Sequence, residues 1–253
     1  MVQGDREPHL GPPPRVESPC RPRCGPRRRS AARVPAALFT GVEIAGHRAN
    51  AGRMPIEERT AQAVDAILLR QHGVITWQQA RRHLSEKAIR HRVRSGRWRR
   101  VHRGIYLAHS ESCTRQQYLW VASLGAGNGR PALLAGVTAL QVLGLQRLPA
   151  DPLPIHVLVH ISRPDRDPPP GVRVHRTRRL SMVDVCPTIA PPCTTAARAL
   201  VDAVEWATDG DDATRVLAAA DGQRLVSPEQ VRPVLARLPR LSRRRLLERA
   251  LAA

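Results

Sequence analysis

Apolar positions recur at helical spacing from the first periodic segment onward. Ala63, Val64, Ile67 and Leu68 share one face, and Pro55, Glu57 and Glu58 stand in the first turn, where a missing N–H and acidic charge suit a helix start. His72-Gly73 closes that helix, and Val74-Ile75 is a short strand-like entry. Thr76 then caps a second helix, with Gln79 in the capping-box position; Leu84 lies in the turn that follows. Ser85 caps a third helix from Glu86 to Ser95, which Gly96 stops. Trp98–Val101 and Ile105–Leu107 are two strands joined at His102-Arg103-Gly104. Helix, turn, helix and basic hairpin in this order predict a winged helix-turn-helix over 55–109.

A second unit is expected over 112–208. Tyr118–Leu124 is helical, Ala132–Ala135 a short buried strand, and Val137–Leu143 a helix ended by Gly144. Ile155–Ile161 (IHVLVHI) alternates with strong β-propensity, and Val172–Arg176 alternates again beyond a Pro-rich turn over Asp165–Gly171. A third extended piece lies around Val185–Ala190, and an amphipathic helix runs from Thr194 or Thr195 to Trp206. Antiparallel-looking strands mixed with helices predict a small α+β domain. The segment 211–253 is expected to be helical, with a start at Ser227-Pro228-Glu229-Gln230 and a last helix over Leu241–Ala253. Residues 1–53, rich in Pro, Arg and Gly, lack the apolar surface to offset their ordering entropy and are expected to be a disordered extension. Met54, directly before the first periodic residue, is an alternative start.

Composition narrows the partner. The formal charge is +20 over 253 residues and the pI about 11.6, which calls for a polyanion or an anionic surface. Lys87 is the only lysine, however, so arginine is this chain's default base and only clustering is informative. Clustering is present: Arg81–Arg103 holds ten Lys/Arg against one acid, Glu86, a net of 10 − 1 = +9. Within the third helix Lys87, Arg90, His91 and Arg94 fall at i, i+3, i+4 and i+7, opposite Ala88, Ile89 and Val93. Guanidinium forks bond guanine edges or phosphates, so these four are expected in the major groove. Arg97, Arg99, Arg100, His102 and Arg103 are expected to contact the backbone or minor groove from the wing. Trp77, Trp98 and Tyr106 are expected to pack the wing, and with aromatics at 3% a stacking platform for single strands is not expected.

The same residues resemble a known family. GVITWQQARRH (73–83) and SEKAIRHRVRSGRWRRVHRGIY (85–106) are similar to the N-terminal winged-helix domain of AbiEi-type antitoxins, from type IV, abortive-infection toxin–antitoxin systems. ALLAGVTALQVLGL (132–145), GVRVHRTRRL (171–180) and Pro192–Asp202 with Thr195, Arg198 and Asp202 resemble its later landmarks. The resemblance implies a repressor of its own operon that binds double-stranded operator DNA. It also implies an AbiEii-like nucleotidyltransferase toxin as counterpart, opposed without a stable complex. Similar chains carry a Vsr-like or PD-(D/E)XK-like nuclease domain after this region; its absence is expected here, because Lys87 alone cannot supply an Asp/Glu-x-Lys core.

No other chemistry assembles from the residues. Cysteines 20, 24, 113, 186 and 193 form no CxxC pair, and reduced thiols in a cytoplasmic protein are expected. His156 and His160 on one strand would stand roughly 13 Å apart, with His175 on the next strand, too far for shared ligation. They are expected to line a basic sheet face with Arg173. No Gly-x-Ser-x-Gly elbow or Walker loop occurs, GAGNGR (125–130) being a helix-ending turn, and Arg198–Asp202 is an ordinary i,i+4 pair. No apolar run approaches the roughly 18 residues of a membrane span. A non-enzymatic DNA-binding protein without cofactor, metal or membrane partner is the expectation. Two alternatives stay open: the non-catalytic front of a nuclease-fused protein, and a winged module that binds RNA or protein.

Overall fold

The computed structural model describes residues 56–128, 130–146 and 154–252. The proposed extension 1–53, Cys20, Cys24, Met54 and Pro55 lie outside the described residues. The first helix, α1 (Ile56–Arg70), turns Val64 and Ile67 into the core. The chain leaves it through His72 and Gly73, both left-handed at φ 52° and 82°. Gly73 N–H donates to Leu68 O at 2.7 Å, satisfying a carbonyl that the helix end would otherwise leave unpaired. β1 (Val74–Thr76) leads into α2 (Trp77–Arg81), where Thr76 and Gln79 form the expected reciprocal capping box at 3.1 and 2.9 Å. Ser85 caps α3 (Glu86–Arg94), and β2 (Arg99–His102) and β3 (Ile105–Leu107) form the wing.

These three strands make an antiparallel sheet in the order β1-β3-β2. Both of its faces are covered. Ile75 and Tyr106 meet Val64, Ile67, Ala80, Ile89 and Trp98 on one side. Val74, Ile105 and Leu107 meet Trp120, Val121 and Leu124 of α4 (Arg115–Gly127) on the other. Burial on both faces is why Ile105-Tyr106-Leu107 is uniformly apolar and not alternating. α4 begins at a second capping box, Thr114 with Gln117, four residues before the apolar run that marked it in the sequence. Gln117 Nε2 also donates to His72 O (2.9 Å) and His109 Nε2 (2.8 Å), tying α4 to the turn after α1.

A five-stranded sheet follows, in the order β6-β5-β4-β8-β7. Its strands are β4 (Leu133–Leu134), β5 (Ile155–His160), β6 (Val172–Thr177), β7 (Val185–Cys186) and β8 (Cys193–Thr194), with α5 (Gly136–Val142) after β4 and α6 (Ala196–Trp206) after β8. The expected antiparallel arrangement needs one correction. β5 and β6 run parallel, Ile155 opposite Val172 through His160 opposite Thr177, as do β4 and β8. Residues 161–171, with four prolines, carry the chain back along the sheet before β6 begins. This crossover lies on α4, where a Cβ at Gly125 would stand 2.6 Å from Pro169 Cγ, so only glycine permits the approach.

α7 (Gly210–Gly222), α8 (Pro228–Arg237) and α9 (Arg244–Ala250) close the core beneath this sheet. Val216, Val231, Val234, Leu235 and Leu247 are buried with Val157, Leu200 and Val204. Each such side chain contributes about 1.5–3 kcal/mol by leaving water. The Arg198–Asp202 pair is not a surface pair. Arg198 is 3% exposed; its Nε reaches both Asp202 oxygens at 3.0 Å and its Nη1 reaches Asp184 Oδ2 at 3.1 Å. Arg237 of α8 reaches the other Asp184 oxygen at 2.5 Å, so two carboxylates and two guanidiniums join α6, α8 and the 3-10 turn Met182–Asp184.

Candidate nucleic-acid interface

Ser85 Oγ accepts from Ala88 N–H at 3.2 Å and starts α3. Ile89, wholly buried, anchors the helix on Trp98, Tyr106 and Ala80. That anchoring decides the outer face: Lys87, Arg90, His91 and Arg94 are all exposed, and the structure brings the four together on one side as their spacing predicts. Arg92 points elsewhere. Its guanidinium lies 5.6 Å from the Trp98 ring centre and its Nη1 donates to Ala88 O, so it packs the helix against the wing. Arg90 is paired with Glu86 one turn earlier, which holds its guanidinium along the helix; both side chains are about half exposed. The sequence spacing Glu86–Arg90 carried this signal, but charge counting passed over it.

The wing residues divide. Arg99 is opposite Leu107 and Arg100 opposite Tyr106, so consecutive arginines leave the sheet on opposite faces. Arg99 lies on the α4 side, where Nη2 donates to Glu111 O at 2.7 Å. Arg100 lies on the face shared with α3. Arg97, in the turn between α3 and β2, is exposed and donates to Ser95 Oγ at 3.3 Å. A register shift between Arg100 and His102 bends β2 before the tip. Arg103 is exposed at the tip, whereas His102 is half-buried.

A cleft of about 910 Å³ runs from the wing tip to the β5–β6 crossover, lined among others by Trp77, Arg103, Asp165 and Asp167. Asp165 is ion-paired with Arg176 at 2.7 Å. The cleft sets Asp165 and Asp167 beside Arg103 and Arg166, whereas α3 carries one acid, Glu86, which is paired with Arg90. Two histidines of the second sheet, expected on an open basic face, are instead half-buried against Trp206. His156 Nδ1 lies 2.9 Å from His175 Nε2, and both rings stack with Trp206. Burial first, then Arg173, pushes His156 down to about 4; burial, then His156 and Arg173, pushes His175 down to about 3. Among the described residues no group of three His, Cys, Asp or Glu is placed to hold a metal ion, and no helix is long and apolar enough to cross a membrane.

Residues 62–109 match a family model described as a transcriptional regulator, the AbiEi antitoxin. The matched span runs from α1 through β3 and contains every residue of the exposed basic face. No curated protein matches the chain at a significant level. Over this winged-helix segment, the chain is similar to the AbiEi antitoxin family of transcriptional regulators.

Proposed function

We propose that the chain is a DNA-binding repressor and antitoxin that docks α3 in the major groove of operator duplex. The observation that carries this reading is the single exposed face of Lys87, Arg90, His91 and Arg94, backed by buried Ile89 and Trp98. Arg97, Arg100 and Arg103, with His102 behind the tip, contact the flanking backbone or minor groove. Arg99, held by Glu111 on the other face, supports the wing instead. Repression follows from occlusion of the promoter. The counterpart is a nucleotidyltransferase toxin opposed without a stable complex, and the protein itself performs no chemistry.

The test is fluorescence anisotropy on duplexes from upstream of its own operon and on scrambled duplexes. Affinity should fall with salt by about 0.9 in the log–log slope per phosphate neutralised. Arg94→Ala should cost about 1–3 kcal/mol on operator and less on scrambled DNA if it reads a base. Arg100→Ala should weaken both alike and lower the salt slope by about 1. Absence of duplex binding, or an Arg94→Ala variant as tight as the parent, would overturn the assignment.

A further inference from the structure

β7 and β8 place Cys186 and Cys193 directly opposite one another in an antiparallel pair. Paired Cα atoms in such ladders stand about 4.5–5.5 Å apart, inside the roughly 4.4–6.8 Å that a disulfide spans. Opposite residues of such a pair project from the same face of the sheet, so the two sulfurs adjoin. Their surroundings differ. Cys186 is half-buried, near the Thr188 hydroxyl at 3.6 Å, whereas Cys193 is wholly buried. Burial pushes the Cys186 thiol up, but hydrogen bonds from Thr188, from Cys193 and from the Ile189 backbone outweigh it and bring it below the usual thiol range. Burial, the Cys186 charge and a hydrogen bond with Cys186 push Cys193 up to about 12. An accessible sulfur that ionises readily, beside a shielded partner, is the arrangement of a reactive and a resolving cysteine.

We infer that Cys186 and Cys193 are a peroxide-oxidisable dithiol that closes to a disulfide across the β7–β8 edge of the sheet. The Cys186 thiolate attacks one oxygen of hydrogen peroxide; the O–O bond breaks, a sulfenic acid forms, and the departing hydroxide takes a proton to become water. The Cys193 sulfur then attacks the Cys186 sulfur. The S–O bond breaks, and hydroxide leaves with the Cys193 proton as a second water. Two thiols are oxidised and one peroxide is reduced to two waters; a dithiol reductant reverses the change. The site is independent of the DNA-binding face.

Trypsin releases both cysteines in one peptide, Leu180–Arg198, which has no internal Lys or Arg. The full chain, treated with stoichiometric hydrogen peroxide and then iodoacetamide, should yield this peptide lighter by two hydrogens and carrying no alkyl group. Dithiothreitol should restore two alkylation sites. Oxygen added at exposed Met182 is resolved by its own mass. Cys113, whose thiol burial pushes up against the opposing Arg99 charge, is the internal comparison and should remain alkylatable. Cys193→Ser should leave a dimedone-reactive sulfenic acid at Cys186, and Cys186→Ser should leave Cys193 unoxidised. The inference is overturned if the peptide keeps two alkylatable thiols after Cys113 has reacted, or if Cys186 passes to sulfinic acid while Cys193 stays free.

Discussion

Glu86→Gln should tighten DNA binding while weakening the fold. Glu86 is the single acid within Arg81–Arg103 and holds the Arg90 guanidinium in an i,i+4 pair. A half-exposed pair of this kind contributes about 0.2–1 kcal/mol, which docking must give up before Arg90 can reach DNA. The carboxylate also repels phosphate: at about 7 Å in a water-like dielectric this is worth about 0.6 kcal/mol. Glutamine removes both terms at nearly constant shape, so operator affinity should rise by about 0.5–1.5 kcal/mol, or about 2- to 10-fold. The helix loses an acid from its first turn and an ion pair, so the urea midpoint should fall by an amount equivalent to about 0.5–1 kcal/mol. Anisotropy titrations in parent and Arg90→Ala backgrounds separate the two contributions. If Glu86 acts through Arg90, the gain in the Arg90→Ala background should shrink to the repulsive part, less than about threefold. A folded Glu86→Gln protein that binds operator no better than the parent would refute the reasoning.

Other substitutions probe the scaffold and the wing. Arg198→Met leaves Asp184 and Asp202 buried without their shared guanidinium and should cost about 3–5 kcal/mol in urea unfolding, far above a surface pair. Gly125→Ala drives a Cβ into Pro169 and should cost about 1–3 kcal/mol, with raised amide exchange along 163–171. Arg99→Ala should leave operator affinity within about 0.5 kcal/mol of the parent, because its guanidinium serves Glu111 on the face away from α3. Acid should destabilise the protein. The unfolded chain protonates His156 and His175 below about 6.5, whereas the folded chain resists until about 4 and about 3. Burial holds Asp202 up to about 7 against the pull of Arg198, so it protonates early in the fold and acts in the opposite sense. Two groups against one leave stability falling as pH drops from about 6.5 to about 4, and His156→Asn with His175→Asn should reverse that slope in urea midpoints measured across the window.

Much of the winged helix was legible because its signals are local. Capping boxes, left-handed helix ends and three- and four-residue spacings depend on neighbours within one turn, and Thr76–Gln79, Ser85 and His72-Gly73 all appear where those patterns put them. The second sheet was legible only as strands. Alternation in Ile155–His160 and Val172–Thr177 marks a pleat but contains no direction, so the parallel pairing emerged only with the crossover in place. For the same reason the stacking of His156 and His175 with Trp206, and the arrival of Asp184 and Arg237 at Arg198–Asp202, depend on segments far apart in the chain.

The sequence by itself determined that four basic side chains share one helical face, since 3.6-residue periodicity makes that a property of spacing alone. Tertiary structure decided which arginines remain free to use it. Burial of Ile89 orients α3, the Trp98 ring claims Arg92, Glu86 engages Arg90, and the pleat sends Arg99 and Arg100 to opposite faces. Charge is a sum over residues, whereas availability depends on what each guanidinium already touches, and only the packed chain decides that.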